Sequence, residues 1–389
     1  MRIVVTGLVA TYPVGGVAWD YLQYLQGFHA LGCDVIYLED TGQWFYDPAA
    51  RTFTPDARRG AAYLAAALRQ LLPGREDRWA VRGADGTLLG LAEAEVTRVC
   101  ASADLFLNLS GACWLRDGYR GARVTAYIDT DPCYSQAKLA ATDAGIADRA
   151  VARSAGLIRE HDVFFTLGEH VGQPDCQVPT AGLRWLPTRQ PVFLANWPVT
   201  PPPATGAFTT VLSWAINPTP PVVGGRSYGG KDVEFARFLD LPRHTPERLE
   251  AAISGDAPRE RLAAAGWSVI EGHGVSATLD DYRRYLQGSR GEWSVAKNAY
   301  VATHSGWFST RSAVYLASGR PAVLQDTGFA AHVPTGPGLR AFATLEEAAD
   351  ALEAVRADYP AACEHARAVA EQCFRAEAVC ARVLADAGL

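Results

Sequence analysis

The residues best suited to chemistry sit in two glycine-containing turns. The first is His304-Ser305-Gly306-Trp307-Phe308-Ser309-Thr310-Arg311, preceded by Lys297 and followed by a small-residue helix through Tyr315, Leu316 and Ala317. The second is Gln325-Asp326-Thr327-Gly328, reached through Gly319-Arg320-Pro321 and the apolar Ala322-Val323-Leu324. The pattern reads as a strand over 300–303, a loop, a helix, a second strand and a second loop, both loops at one edge of a parallel sheet. A helix start offers unpaired N–H groups and a positive dipole end, which suit a phosphate. Ser305, Gly306, Trp307 and Ser309 would surround phosphate oxygens, while Arg311 or Lys297 neutralises a departing diphosphate. Asp326, Thr327 and Gly328 put a carboxylate beside backbone amides, which suits a sugar hydroxyl. Plain capping by Ser305 or Ser309 and an ordinary Asp-Gly turn account for the same residues without any ligand. Their company with Lys297 and Arg311 favours a site that grips a diphosphate on one side and a sugar on the other.

Other candidates are spread along the chain. Gly224-Gly225-Arg226-Ser227-Tyr228-Gly229-Gly230-Lys231 reads either as a mobile loop or as a lid whose Arg226 and Lys231 close on the diphosphate. His273, after an apolar run, either borders the nucleotide base or is structural. Gly15-Gly16 falls between the first strand and a helix expected over 19–31, and is not Gly-x-Gly-x-x-Gly; it is read as an acceptor-side loop. Three carboxylates are candidates for a general base. Asp20 sits near that helix start, where the dipole alone would favour an acid. Asp131 shares a face with Asp129 after the strand over 124–128, and Glu169 precedes His170 after the strand over 163–167. Ligands gather at the carboxyl ends of parallel strands, which makes each a cleft candidate.

Those residues need a scaffold, and the apolar pattern supplies one. Strands are expected over 3–5, 35–38, 105–109, 124–128 and 163–167, with helices over 19–31 and 61–72. Continuous apolar strands alternating with helices mean a parallel sheet covered on both faces. Pro201-Pro202-Pro203 and Thr205-Gly206 break the pattern. It restarts with a strand over 209–214, helices over 232–239 and 246–252, a strand over 267–270, the two-turn unit, a helix over 345–357 and a helical tail over 361–387.

The chain has 389 residues, 49% hydrophobic and 20% charged, which describes a globular protein of two domains. A net charge of −6 without a basic block argues against nucleic acid as partner. No run supplies the ~20 apolar residues of a membrane span, and the N-terminus lacks a signal-peptide pattern. The eight cysteines form no Cys-x-x-Cys pair. These features give the expectation of a reducing, cytoplasmic setting. Oligomeric state is not legible.

Arg290-Gly291-Glu292-Trp293-Ser294-Val295-Ala296-Lys297, the Ser-Gly-Trp-Phe loop with Arg311, and Gly319-Arg320-Pro321 before Asp326-Thr327-Gly328 resemble the donor half of CgeB-like and related (GT4-like) bacterial glycosyltransferases. The overall pattern resembles the GT-B architecture. That resemblance implies an α/β fold of two facing Rossmann-like domains: an acceptor-binding domain over 1–200, a nucleotide-sugar-binding domain over 208–370, and a C-terminal helix over 371–389 crossing back to the first. It implies metal-independent sugar transfer from a nucleoside-diphosphate sugar, with no cofactor beyond that substrate. The chain departs from common retaining members, where two glutamates bracket the unit: Asp326 holds the later position, and the helix after Arg311 has no acid for a ribose. A nucleotide-sugar epimerase or a non-catalytic sugar-nucleotide-binding protein would share the architecture. Trp44-Phe45-Tyr46 fits an acceptor platform or plain packing.

Overall fold

The computed structural model describes residues 1–203, 205–214 and 220–389. The first half builds an eight-stranded sheet in the order Trp185–Pro187, Val163–Thr166, Val124–Asp129, Leu105–Leu109, Arg2–Thr6, Asp34–Glu39, Trp79–Arg82 and Leu88–Gly90. Every neighbouring pair is parallel except the last, which is antiparallel. Arg2–Thr6 lies in the middle, Ile3 opposite both Val35 and Leu105. These central strands are buried on both faces, so they read as unbroken apolar runs.

The second half builds a six-stranded, wholly parallel sheet in the order Ser268–Glu271, Leu249–Ser254, Phe208–Ser213, Gly291–Ser294, Ala322–Gln325 and Leu339–Phe342. Two expectations fail here. The pattern over 246–252 reads as a helix, but Leu249–Ser254 is a strand; Ala251, Ala252 and Ile253 are buried between two parallel neighbours, and that packing overrides propensity. The segment 300–303 was expected as a strand, but Asn298–Ala302 is a short helix, with the Thr303 hydroxyl donating to the Ala299 carbonyl at 2.6 Å. Its expected place in the sheet belongs to Gly291–Ser294, which pairs with strands on both sides.

Two facing Rossmann-like domains result, with strand carboxyl ends meeting across a cleft. Buried Arg320 holds the proline linker, donating to the Thr200 and Pro201 carbonyls and to the Gln287 carbonyl. The expected helical tail is two helices, Tyr359–Cys373 and Ala376–Asp386. The first packs on Thr310–Ala317 of the second domain; the second crosses back onto Gly15–Ala30 of the first. The crossing is close: a Cβ on Gly27 would lie 2.6 Å from Cys380 Sγ. All eight cysteines are free. Among the described residues no helix is long and apolar enough to cross a membrane.

Candidate functional site

The second domain contributes a cluster of cations and a helix start. Thr310–Ala317 begins after Ser309, whose side chain makes no capping bond, so the first N–H groups of this helix receive no cap. Arg311, in its first turn, is 10% exposed and held from behind by Glu292 Oε1 at 2.5 Å, the Val211 carbonyl at 2.5 Å and Ser294 Oγ at 2.7 Å. Lys231 opens the helix Lys231–Phe235 and makes no hydrogen bond or ion pair with any described residue. Burial, and after it the nearby charges of Arg311 and Lys297, pushes its ammonium well below the ordinary value. Lys297 precedes Asn298–Ala302 and reaches across the cleft to Asp131 Oδ1 at 2.5 Å. Burial pulls the Lys297 ammonium down, but Asp131 outweighs it and the net direction is up.

The first domain contributes carboxylates of unlike character. The helix Gly15–Ala30 starts four residues earlier than expected, so Asp20 sits in its second turn and the helix-start dipole is not its partner. Its carboxylate is exposed to the cleft, yet both domains crowd round it. That desolvation pushes the carboxyl up to about 7, against the lowering effects of the Thr310 hydroxyl and Arg311, with Asp131 reinforcing the rise. Asp131 accepts from Lys297 and from the Tyr300 hydroxyl; burial raises its carboxyl, but Lys297 and Tyr300 more than offset that and hold it low. Asp129 does not join it. Its Oδ2 is taken by Gln136 and Thr166 inside the domain, and burial pushes it to about 6. Glu169 is clamped by Arg189 through both carboxylate oxygens, at 2.7 and 3.0 Å. Next to it, His170 Nδ1 meets His332 Nε2 of the second domain at 2.8 Å.

The other expected residues fall in three places. The two glycine turns are zipped to each other: the Gly306 N–H donates to the Thr327 carbonyl at 2.7 Å, the Thr327 hydroxyl to the Trp307 carbonyl at 2.6 Å, and the Gly328 N–H to Asp326 Oδ1 at 2.9 Å. The Ser305 N–H is spent on the Tyr300 carbonyl, so neither the Ser305 nor the Gly306 amide is a free donor. Several residues make the domain contact itself. Trp307 Nε1 donates to the Thr130 carbonyl at 3.1 Å, and the Gly15 N–H to the Ser276 carbonyl at 2.7 Å. Gly15 and Gly16 are therefore the first turn of a helix pressed against the second domain, not an open loop; a Cβ on Gly15 would lie 2.2 Å from the Thr278 carbonyl oxygen. Arg226 stands apart on a glycine turn, over the Tyr228 ring at 5.1 Å, and His273 bonds the Tyr46 hydroxyl at 2.7 Å. Sequence reasoning missed Glu292 and Thr310; Glu292 is visible only as an acid in a buried strand, a signal that it must have a cationic partner.

No protein-family profile matches the sequence, and no curated protein matches it significantly. Solved structures do. AviGT4, a glycosyltransferase involved in avilamycin A biosynthesis, superposes over 100% of this chain and 97% of its own, with TM-score 0.54 and 15% identity. Anabaena Alr3699/HepE in complex with UDP-glucose matches over 99% of each chain, with TM-score 0.54 and 12% identity. An alpha-glucosyltransferase in complex with UDP-glucose and DNA containing an abasic site matches over 100% of each, with TM-score 0.57 and 10% identity. The chain has the GT-B fold, as its sequence pattern leads one to expect. None of these neighbours bears out the narrower CgeB-like resemblance.

Proposed function

We propose that the protein is a glycosyltransferase that moves a sugar from a nucleoside-diphosphate sugar to an acceptor hydroxyl, with no metal ion. One observation carries the reading: Lys231, an unpaired cation beside two other cations, faces an uncapped helix start, with the Asp20 carboxylate on the opposite wall. Arg311 and Lys297 have carboxylate partners in Glu292 and Asp131, but Lys231 beside them has none, and a diphosphate would supply the missing anion. It would take Lys297 from Asp131 and bind Lys231 and the N–H groups at Thr310–Ser312. Arg311 would add charge from behind, fixed by Glu292. The cavity beside Ser309 and Arg311, lined wholly by second-domain residues, is only about 20 Å3, so these turns must rearrange to admit a diphosphate there.

Asp20 is the base this arrangement favours: Glu169 is spent on Arg189, and Asp131, after Lys297 turns to the diphosphate, still holds the Tyr300 hydroxyl, whereas the Asp20 carboxyl is raised toward neutrality. The acceptor O–H proton passes to the Asp20 carboxylate as the acceptor oxygen bonds to the anomeric carbon. The bond from that carbon to the phosphate oxygen breaks, its electron pair leaving on the diphosphate. A protein base belongs to displacement with inversion. Lys231, Lys297 and the helix start meet the developing charge, so the step needs no metal.

The test is a thermal-shift panel of UDP-, GDP-, dTDP- and ADP-sugars, UDP-glucose first because two structural neighbours hold it, followed by transfer assays after EDTA treatment. Donor at 100-fold over its dissociation constant should add about 2.7 kcal/mol, and transfer should survive EDTA. No shift with any donor overturns the reading. Loss of transfer restored by manganese overturns metal independence, and an isomerised donor without release of diphosphate shows an epimerase.

A further inference from the structure

One buried carboxylate ties together the segments that carry the cations. Glu234 is 2% exposed and lies three residues after Lys231 in the helix Lys231–Phe235. Its Oε1 accepts from Asn298 Nδ2 at 2.6 Å. Its Oε2 accepts from Gln325 Nε2 at 2.5 Å and from Arg237 Nη1 at 2.7 Å. Asn298 follows Lys297, and Gln325 ends the strand that leads to Asp326. Both amides are also held from their other side. The Gly229 N–H donates to Asn298 Oδ1 at 3.0 Å, and the Ala296 N–H to Gln325 Oε1 at 3.2 Å. Neither amide can turn round without stranding a backbone N–H, so each points its NH2 group at Glu234. Three donors and no acceptor face residue 234, and only a carboxylate accepts on both of its oxygens. Arg237, half-exposed, supplies the balancing charge.

We propose that Glu234 is a positioning residue that sets Lys231 and Lys297 as one clamp for the diphosphate. The proposal rests on the sugar-transfer reading above. Buried as it is, Glu234 acts through its neighbours and not on the substrate. The helix that Lys231 opens and the helix that Lys297 precedes are five residues each, too short to hold their own shape. The two lysines also repel: after burial, the charges of Arg311 and Lys297 push the Lys231 ammonium down. The two helix starts therefore need a tie. The Asn298 N–H donates to the Gly230 carbonyl at 3.1 Å and the Ala299 N–H to the Gly229 carbonyl at 3.3 Å, and the Asn298 side chain joins the same turn to Glu234. Glu234→Gln keeps the size but sets one NH2 group against another. For relief, Asn298 turns and releases the Gly229 N–H, two residues before Lys231, or Gln325 turns and releases the Ala296 N–H, immediately before Lys297. Either way one lysine loses its fixed place.

The probes are UDP, GDP, dTDP and ADP, titrated by calorimetry into the full chain; the one the parent binds most tightly is carried to the variants, each held well below its melting temperature. Glu234→Gln should weaken that nucleotide roughly tenfold or more. Asn298→Asp should do the same, because two carboxylates then meet where one NH2 group bonded. Combining the two restores the match: the new amide donates to the new carboxylate, whose second oxygen still accepts from the Gly229 N–H. Affinity should then return toward the parental value, a coupling that independent losses would not show. A merely structural carboxylate would lower the melting temperature and leave the affinity of the folded chain alone. Unchanged affinity in Glu234→Gln, or a double variant that binds no better than the worse single one, overturns the proposal and leaves the transfer reading standing. If a single variant does not fold, Asn298→Ala decides, since it cuts the same tie without a charge; parental affinity there overturns the proposal. A parent that binds none of the four nucleotides overturns the transfer reading, and the clamp falls with it.

Discussion

Asp20 is the residue on which the chemistry turns, because its environment sets its charge near neutrality. Burial lifts its carboxyl to about 7 from the ordinary 3.8, where a general base is most useful. Rate should therefore rise with pH through about 7 and level off above, and Asp20→Asn should remove that limb and cost ~10²–10⁴-fold in turnover while nucleoside diphosphate still binds. The stability consequence has the opposite sign. Between pH ~4 and ~7 the folded chain keeps a proton that the unfolded chain has lost, so ionising Asp20 lowers stability as pH rises through that window. Asp20→Asn, neutral at every pH, should melt no lower than the parent at pH 8. Unfolding scans at pH 5 and pH 8 check the sign; an unchanged pH–rate profile in Asp20→Asn would pass the role of base from Asp20 to another group. The sequence marked Asp20, Asp131 and Glu169 alike as acids at strand or helix ends. It could not rank them, because the partners that consume two of them, Lys297 and Arg189, come from distant positions.

At the scale of elements, the helix Thr310–Ala317 and the short helix opened by Lys231 should differ sharply in how they tolerate loss of their cations. Lys231 has no described partner. Lys231→Ala should weaken nucleoside diphosphate binding by roughly 1.5–3 kcal/mol, a lost charged hydrogen bond, with stability unchanged or raised. Arg311→Ala strands Glu292, which is fully buried, and should cost ~3–5 kcal/mol of stability as well. Calorimetry paired with denaturant unfolding separates the two; a Lys231→Ala chain that binds normally would sink the diphosphate site. The helix after the first turn and the strand that leads to the second were legible because glycine, hydroxyl and proline punctuation is local. Gly291–Ser294 was not, since Glu292 becomes tolerable in a central strand only through an arginine 19 residues later.

For the whole molecule, the apolar runs of the first sheet and the proline linker announced two parallel α/β layers, but nothing local announced how closely they meet. That closeness is written in glycines whose reason lies in another part of the chain. Gly27 is inside a helix, where Ala ordinarily gains ~0.5–1 kcal/mol. Here its Cβ would meet Cys380 Sγ and, at 2.9 Å, the Ala376 carbonyl oxygen, so Gly27→Ala should instead cost ~1–3 kcal/mol. A gain in stability would mean that Ala376–Asp386 is not docked on the first domain. Gly15 reports on the cleft itself. A Cβ there would stand 2.2 Å from the Thr278 carbonyl oxygen, a backbone atom that moves only if the domain moves. Gly15→Ala should therefore hold the domains apart. Separated walls keep Asp20 from the helix start that holds the leaving group, and a misplacement of ~1 Å can cost ~10²-fold in rate. The expected result is a larger radius of gyration by small-angle scattering and a drop in turnover far exceeding the loss in melting temperature, with diphosphate affinity reduced only by the part that Asp20's wall contributes. Full activity with an unchanged radius would show that the two domains need not meet at Gly15 for the reaction to proceed.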